Sequence, residues 1–171
     1  KIVEQAGFDA ALISGAAVAT SLQGLPDNGM ITLTEMADAA KRISSCVSIP
    51  VIADADNGYG NALNVRRTVQ EFELGGCAAL QLEDQASPKK CGHMDGKEVI
   101  PTIEHCRKIE MAAATRNEML ILARTDAATV TGIDDAINRV NEYAKAGGDI
   151  VIVDAPRTVE DLKKIGERDQ A

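Results

Sequence analysis

Five short apolar runs, each ending in polar residues, constrain this chain more than any other feature: Ala10–Ile13, Val51–Ala53, Ala78–Leu82, Leu120–Ala123 and Ile150–Val153. Each is entered from a turn or breaker: Gly7-Phe8-Asp9, Ser48-Ile49-Pro50, Gly75-Gly76, Asn117-Glu118 and Gly147-Gly148-Asp149. Each leaves into side chains fit for chemistry: Ser14-Gly15, Asp54 and Asp56, Glu83-Asp84, Arg124-Thr125-Asp126, and Asp154. Continuous apolar runs of this length, bounded by turn signals, are strands buried on both faces. The segments between them have helical spacing. Leu33–Ile43 opens on Thr34 with Glu35, Asn64–Leu74 carries Val65, Val69 and Phe72, and Ile103–Ala114 and Asp134–Ala146 continue the alternation. Thr158–Ile165 begins a further helix, and Lys1–Ala6 reads as the tail of one.

Strand–helix alternation predicts a parallel sheet. One architecture that fits is a doubly wound sheet of five strands with its ligand at a switch point. The other is a (β/α)8 barrel, which takes about 250 residues, so that this chain is roughly two-thirds of one. In an open sheet, strand ends about 4.8 Å apart spread over about 19 Å, too far to serve one small ligand. All five exits carry reactive or charged residues, which makes sense if the strands curl around one point. The expected fold is therefore α/β, a (β/α)8 TIM barrel that is partial here, with strands two to six in a single domain over residues 1–171. A start at Lys1 without Met and the loose end Glu167-Arg168-Asp169-Gln170-Ala171 are expected of an excerpt from a longer chain. Were the 171 residues the whole polypeptide, open sheet edges would invite pairing. An inactive, assembly-only barrel fragment is the reading from a different class.

A formal charge of −8 argues against nucleic acid, because phosphate backbones are held by clustered Lys and Arg. No apolar run approaches the roughly 20 residues that span a bilayer, and no signal-peptide pattern opens the chain. The four cysteines have no CxxC spacing and only two histidines accompany them, so neither a zinc cluster nor a disulfide framework is indicated. A reducing cytoplasm is the expected location. Cys46, Cys77 and Cys106 read as inert core thiols, His105 as a helix surface or cap residue, and Arg139 and Lys145 as solvated helix charges.

Cys91 is different. The run Pro88-Lys89-Lys90-Cys91-Gly92-His93-Met94 sets it between two lysines and a histidine, surroundings that favour thiolate and suit a proton carrier or nucleophile. Gln85–Ile100, rich in Gly, Lys and Pro, reads as a mobile lid, since loops beyond about 12 residues are usually functional or disordered. Asp54 and Asp56, at i and i+2, point to one side and offer the hard oxygens that Mg2+ prefers. On spacing alone, solvated turn aspartates fit equally well. Ser14, Gly15 and Ala16 form either a nest-like anion turn or an ordinary strand-to-helix turn. Arg124 either grips a carboxylate bidentately or is ion-paired to Asp126 or Glu83.

Six segments in order resemble the isocitrate lyase/phosphoenolpyruvate mutase superfamily: Ser14–Ala19, Gly24–Asp27, Asp54–Gly60, Glu83–Gln85, Lys89–His93 and Ala123–Asp126. The resemblance implies a Mg2+-dependent barrel, with Mn2+ as a substitute, acting on small 2-oxo or 2-hydroxy di- and tricarboxylates. The Lys-Lys-Cys-Gly-His-Met-x-Gly-Lys form resembles the carbon–carbon lyase branch, which includes the 2-methylisocitrate, dimethylmalate and petal-death lyases. It implies that Asp54 and Asp56 are metal carboxylates, with Asp27 and Glu83 completing the shell largely through water. It implies substrate contacts from Ser14, Gly15, Ala16, Cys91, Gly92, His93, Arg124 and Asp154. Cys91 and Arg124 are the implied catalytic pair, Cys91 protonating the enolate left by a retro-aldol (Claisen-type) cleavage. A homotetramer with a small carboxylate substrate, and with no nucleic-acid or membrane partner, is implied as well. There are two departures: Asp154 stands where such lyases usually carry Glu, and Leu12 where a tyrosine is often found. An oxaloacetate-type hydrolase and a phosphonomutase are the rival activities.

Overall fold

A computed structural model describes residues 1–168; of the end read as loose, Glu167 and Arg168 instead continue a helix, and Asp169–Ala171 lie outside the described residues. The strands are β1 (Ala11–Ile13), β2 (Val51–Asp54), β3 (Ala79–Glu83), β4 (Leu120–Thr125) and β5 (Ile150–Val153). The helices are α1 (Ile2–Gln5), α2 (Gly15–Val18), α3 (Leu33–Ser44), α4 (Ala62–Leu74), α5 (Thr102–Thr115), α6 (Ile133–Lys145) and α7 (Val159–Arg168). All strand pairs are parallel, and the spatial order is the chain order, β1-β2-β3-β4-β5. A doubly wound sheet must reverse its order at a switch point. There is no reversal here, and the sheet is a consecutive stretch of barrel wall.

The two-residue period of the strands decides what faces what. Ile13, Ala53, Leu80, Leu82, Ile121 and Ala123 join Met36, Val69, Phe72, Ile109, Val140 and Tyr143 in the core between sheet and helices. Leu80, Leu82, Phe72 and Ile121 are wholly buried, each stabilising the fold by about 1.5–3 kcal/mol. The intervening residues Leu12, Ile52, Gln81, Leu122 and Ile152 face the other side. Two positions further along the same rows come Ser14, Asp54, Glu83, Arg124 and Asp154. The polar exits thus form the top layer of the inner face, with Glu83 in direct register with Arg124.

Helix starts are set by local caps: α3 begins at Leu33 as expected, and α4 two residues before its expected start at Asn64. Thr32, not Thr34, caps α3: its Oγ1 accepts from the Glu35 N–H at 3.4 Å, while Glu35 accepts from the Thr32 N–H at 2.8 Å. Asn61 caps α4 the same way, accepting from the Leu63 N–H at 2.9 Å and donating its own N–H to Asn64 at 3.0 Å. Such reciprocal boxes satisfy amides that the first turn leaves open. α2, the π turn Ala19–Gln23 and the 3-10 turn Ala127–Thr129 lie in stretches to which the sequence pattern assigns no helix.

Three side-chain readings need correction. Cys46 is exposed, whereas Cys77 and Cys106 are buried as expected. His105 is fully buried, and Arg139 is buried too; Lys145 is solvated, with its side chain 71% exposed. Among the described residues no helix is long and apolar enough to cross a membrane.

Candidate active site

The top layer is rich in acid. Asp54 is fixed from three directions: its carboxylate accepts from the Gly15 N–H at 3.1 Å, from the Asp56 N–H at 3.1 Å and from Gln81 at 3.5 Å. Gly15 packs closely on both acids: a Cβ there would lie 3.1 Å from Asp56 Oδ1 and 3.3 Å from Asp54 Oδ2, so the carboxylates would have to give by a few tenths of an ångström. Asp56 itself has φ +47°, a left-handed conformation that aspartate tolerates better than most residues. Ser14 and Gly15 are occupied locally. Ser14 Oγ caps α2 by accepting from the Ala17 N–H at 3.4 Å, and the Gly15 amide serves Asp54. Ala16, in the first turn of α2, has no carbonyl one turn earlier in the helix to bond.

The segment after β3 is folded down over this layer. Its ends are zipped by the Ala86 N–H donating to Glu98 O at 2.8 Å and the Ile100 N–H donating to Asp84 O at 2.9 Å. Lys89 Nζ reaches between two carboxylates, 2.6 Å from Asp27 Oδ1 and 2.7 Å from Asp56 Oδ1. The Cys91 N–H donates to Asp27 O at 3.1 Å. Lys90 points away and donates to Gly96 O at 2.7 Å. Neither lysine is therefore deployed as a thiolate partner, a correction to the electropositive setting that the linear sequence suggests. Gly92 lies against Arg124 and Asp154 so closely that a Cβ would stand 2.6 Å from Nη2 and 2.4 Å from Oδ2. His93 is solvent-exposed and lines a hollow of about 290 Å3 with Gly92, Thr129, Pro156 and Arg157.

Arg124 realises both of its alternatives at once. It stands in the mouth of the layer, yet Nε and Nη2 each lie 3.0 Å from Asp126, Nη2 lies 3.0 Å from Asp154, and Nε lies 3.6 Å from Glu83. Lys97 Nζ binds the same Asp126 at 2.9 Å. Behind them Asp84 accepts from Thr125 Oγ1 at 2.6 Å, the Asp126 N–H at 2.9 Å and Tyr143 Oη at 2.8 Å, with Arg139 at 3.2 Å. Asp84, Gln85 and Asp126 lie in the polar exits noted in the sequence and Lys97 ends the quoted motif, but the linear pattern gives none of them a place in the site.

The acids Asp27, Asp54, Asp56, Glu83, Asp126 and Asp154 here outnumber the cations Lys89, Lys97 and Arg124. Burial, and then the neighbouring Asp54 charge, push the Asp56 pKa up to about 6 against the pull of Lys89. Burial pushes Glu83 well above the carboxylate range despite Arg124 and Lys89, and its Oε1 is buried without a hydrogen-bond partner. Burial opposes the charge on Lys89, but Asp56, Glu83 and Asp27 outweigh it and raise its pKa. A surplus of all-oxygen donors with an orphaned buried oxygen fits a hard divalent cation. Among the described residues no three His, Cys, Asp or Glu side chains converge as direct ligands. The four-carboxylate set is accordingly divided among cations: Asp54 and Asp56 both lie against Gly15, Lys89 bridges Asp56 and Asp27, and Glu83 is turned to Arg124.

A family model described as phosphoenolpyruvate phosphomutase matches residues 1–168. The chain belongs to this family. Its relatives within the phosphoenolpyruvate phosphomutase family include 2,3-dimethylmalate lyase of Eubacterium barkeri, 47% identical over 169 residues covering 98% of the chain and 58% of the relative. Carboxyvinyl-carboxyphosphonate phosphorylmutase of Arabidopsis thaliana is 50% identical over 173 residues, covering 98% and 51%. A crystal structure of 2,3-dimethylmalate lyase, a superfamily member, superposes with a TM-score of 0.96 at 33% identity, covering 99% of this chain and 58% of that one. Phosphonopyruvate hydrolase in complex with oxalate and Mg2+ superposes with a TM-score of 0.86 at 29% identity, covering 97% and 58%. The superfamily resemblance and the partial-barrel fold expected from the motifs both stand, and the chain spans 51–58% of the length of these relatives.

Proposed function

We propose that this chain carries the active site of a Mg2+- or Mn2+-dependent carbon–carbon lyase. Its substrate is a branched 2-hydroxy di- or tricarboxylate, of the 2,3-dimethylmalate or 2-methylisocitrate kind. The products are an oxo-acid such as pyruvate and a carboxylate. One observation carries the reading: the Cys91-Gly92 turn is seated on Arg124 and Asp154 by a folded-down loop, beside an acid cluster that suits a divalent cation.

Asp54 and Asp56 would hold the ion, with Asp27 and Glu83 reached through water, and the bound ion would polarise the oxygens of a 2-hydroxy acid. Arg124 is kept charged by Glu83 and Asp126 despite its burial. In this reading it stabilises the negative charge that develops on the 2-oxygen or a carboxylate. Ser14 and Ala16 border the same layer, and His93 and Asp154 flank it from the lid and from β5. A base takes the 2-hydroxyl proton, the oxygen electron pair closes to the C2 carbonyl of the oxo-acid, and the C2–C3 bond breaks with its electron pair passing to C3 of the departing carboxylate fragment. Cys91 then delivers its proton to that carbon, and the thiolate is reprotonated once the lid opens. The superfamily resemblance extends the reading to a cytoplasmic homotetramer with a mobile lid.

A second reading is favoured by the 50% identity to a protein named as a phosphorylmutase. Incubation of the complete enzyme with 2,3-dimethylmalate, 2-methylisocitrate, oxaloacetate and phosphonopyruvate, with product identification, separates the two. Pyruvate with propionate or succinate supports the lyase. Oxalate and acetate from oxaloacetate indicate a hydrolase, and turnover of phosphonopyruvate alone overturns the proposal in favour of phosphonate chemistry.

A further inference from the structure

Between residues 86 and 100 the buried side chains are both lysines, Lys89 at 5% and Lys97 at 7% exposure, while Met94 is 56% exposed. The lid is therefore not held shut by apolar burial. It is held by two charges, one on each side of Cys91, each lowered onto a different strand exit. Lys89 goes to the acids near β2, and Lys97 to Asp126 just beyond β4. An ammonium is retained in such a place only when it is paired.

Lys97 makes three contacts. Nζ lies 2.9 Å from Asp126 Oδ1, donates to Gly92 O at 2.5 Å, and stands 4.0 Å from Asp154 Oδ2. Asp126 Oδ1 also accepts from Arg124 Nη2 at 3.0 Å and from Gln85 Nε2 at 3.2 Å. One buried oxygen is thus shared by the lid, by the β3 exit and by the guanidinium. Asp126 cannot give way, because Asp84 fixes its backbone N–H at 2.9 Å. Withdrawing Lys97 would release the Gly92 carbonyl and leave Arg124 without its competitor for Asp126.

We infer that Lys97 is a positioning residue, holding the Cys91-Gly92 turn down and setting how tightly Asp126 grips Arg124. What that seating accomplishes rests on the lyase reading; the seating itself does not.

The test compares Lys97→Met and Lys97→Arg in the complete enzyme. Iodoacetamide labelling of Cys91 is measured by peptide mapping against the exposed Cys46 as internal reference. Lys97→Met should raise the Cys91-to-Cys46 labelling ratio on the order of tenfold, the effect of moving the lid population by one decade. It should lower kcat/KM on the order of 10²-fold, as a misplacement of about 1 Å can. Lys97→Arg should keep the ratio near wild type and recover most of the turnover. An unchanged ratio in Lys97→Met overturns the inference, even where turnover has dropped, since a merely structural role would slow the enzyme without uncovering the thiol. Should Lys97→Met fail to fold, Lys97→Gln, which keeps a donor for Gly92 O but no charge, replaces it, and the same ratio decides. Labelling needs no substrate, so a wild-type enzyme without lyase turnover refutes the reaction and leaves this test standing.

Discussion

Gly92→Ala is the most economical perturbation of this site, because it adds one methyl group at a place where the geometry states the conflict. The new carbon would stand 2.4 Å from Asp154 Oδ2 and 2.6 Å from Arg124 Nη2. Contact between such atoms begins near 3.5 Å, so about 1 Å of movement is needed on each side. The obstructing atoms are side-chain tips, which ordinarily swing aside. Arg124 is not free to do so, since Nε and Nη2 each sit 3.0 Å from a wholly buried Asp126. The strain therefore falls on the lid, and overpacking of this kind costs about 1–3 kcal/mol. Applied to the closed state, that is a loss of roughly 5- to 150-fold in the closed population. kcat/KM should fall by the same factor. The melting temperature should barely move, because the lid contributes little apolar burial. Steady-state kinetics, a thermal melt and the Cys91 labelling ratio check it together. A Gly92→Ala enzyme with wild-type kcat/KM would refute the idea that closure seats this turn on Arg124.

Cys91→Ala should lower kcat on the order of 10²–10⁴-fold, the usual share of general acid catalysis, with oxalate affinity retained; equal turnover removes the thiol from the reaction. Chelation should abolish activity and added Mg2+ or Mn2+ should restore it. The same ions should stabilise the fold, by about 2.7 kcal/mol at a hundredfold excess over Kd, because the carboxylates cluster only in the folded state. A melt indifferent to metal would count against the cation site. His105 supplies a pH signature. Burial first, then the Lys108 and Arg139 charges, push its pKa down to about 3, and neither ring nitrogen has a hydrogen-bond partner. The folded state keeps it neutral while the unfolded chain protonates near pH 6.5, so its contribution is complete above about 6.5 and is lost on acidification toward about 3. The slope is about 1.4 kcal/mol per pH unit. His105→Phe should remove that share of the slope in urea melts at pH 5 and 7, and an unchanged slope would show that His105 is not buried neutral.

The strands were legible because each is a short, nearly continuous apolar run between turn signals, although burial on both faces holds only for the middle of the sheet: Leu12 of β1 and Ile150 of β5 are exposed, and Gln81 interrupts β3, where it bonds Asp54. The row Ser14, Asp54, Glu83, Arg124 and Asp154 was legible for the same reason: each lies two positions past an inward-facing residue. Helix starts were less so, since Thr32 and Asn61 announce themselves only through the Glu35 and Asn64 that answer them. Arg139 was misread because Asp135 at i−4 offers it an ordinary surface pair, and nothing local shows that α6 also turns it onto Asp84. Lys97 is the instructive case: the quoted motif ends on it, yet nothing there shows that it is buried. It lies in a polar loop beside Gly96 and Glu98, where a lysine is normally solvated. Its burial depends on a carboxylate twenty-nine residues away. The one local signal is that Lys89 and Lys97 flank the glycine-hinged thiol.

The anchoring of the proposed lid should make its closure depend on what enters. Its two buried side chains are cations lowered into an acid surplus, and burial already drives Asp56 and Glu83 toward their neutral forms. An anionic ligand adds negative charge just where the lysines land. In a partly buried site a pair of unit charges 4 Å apart interacts by about 4 kcal/mol, and at twice that distance by about half as much. Even after desolvation, one extra ligand charge should tighten closure by at least about 1.4 kcal/mol, a factor of ten. Protection of Cys91 from iodoacetamide, referred to Cys46 at a fixed Mg2+ concentration, should then rank oxalate above lactate and lactate above lactamide. These partners are buried, so moderate salt should leave the ranking intact. If lactamide shields the thiol as well as oxalate does, shape rather than charge closes the lid, and the two lysines are anchors without a sensing role.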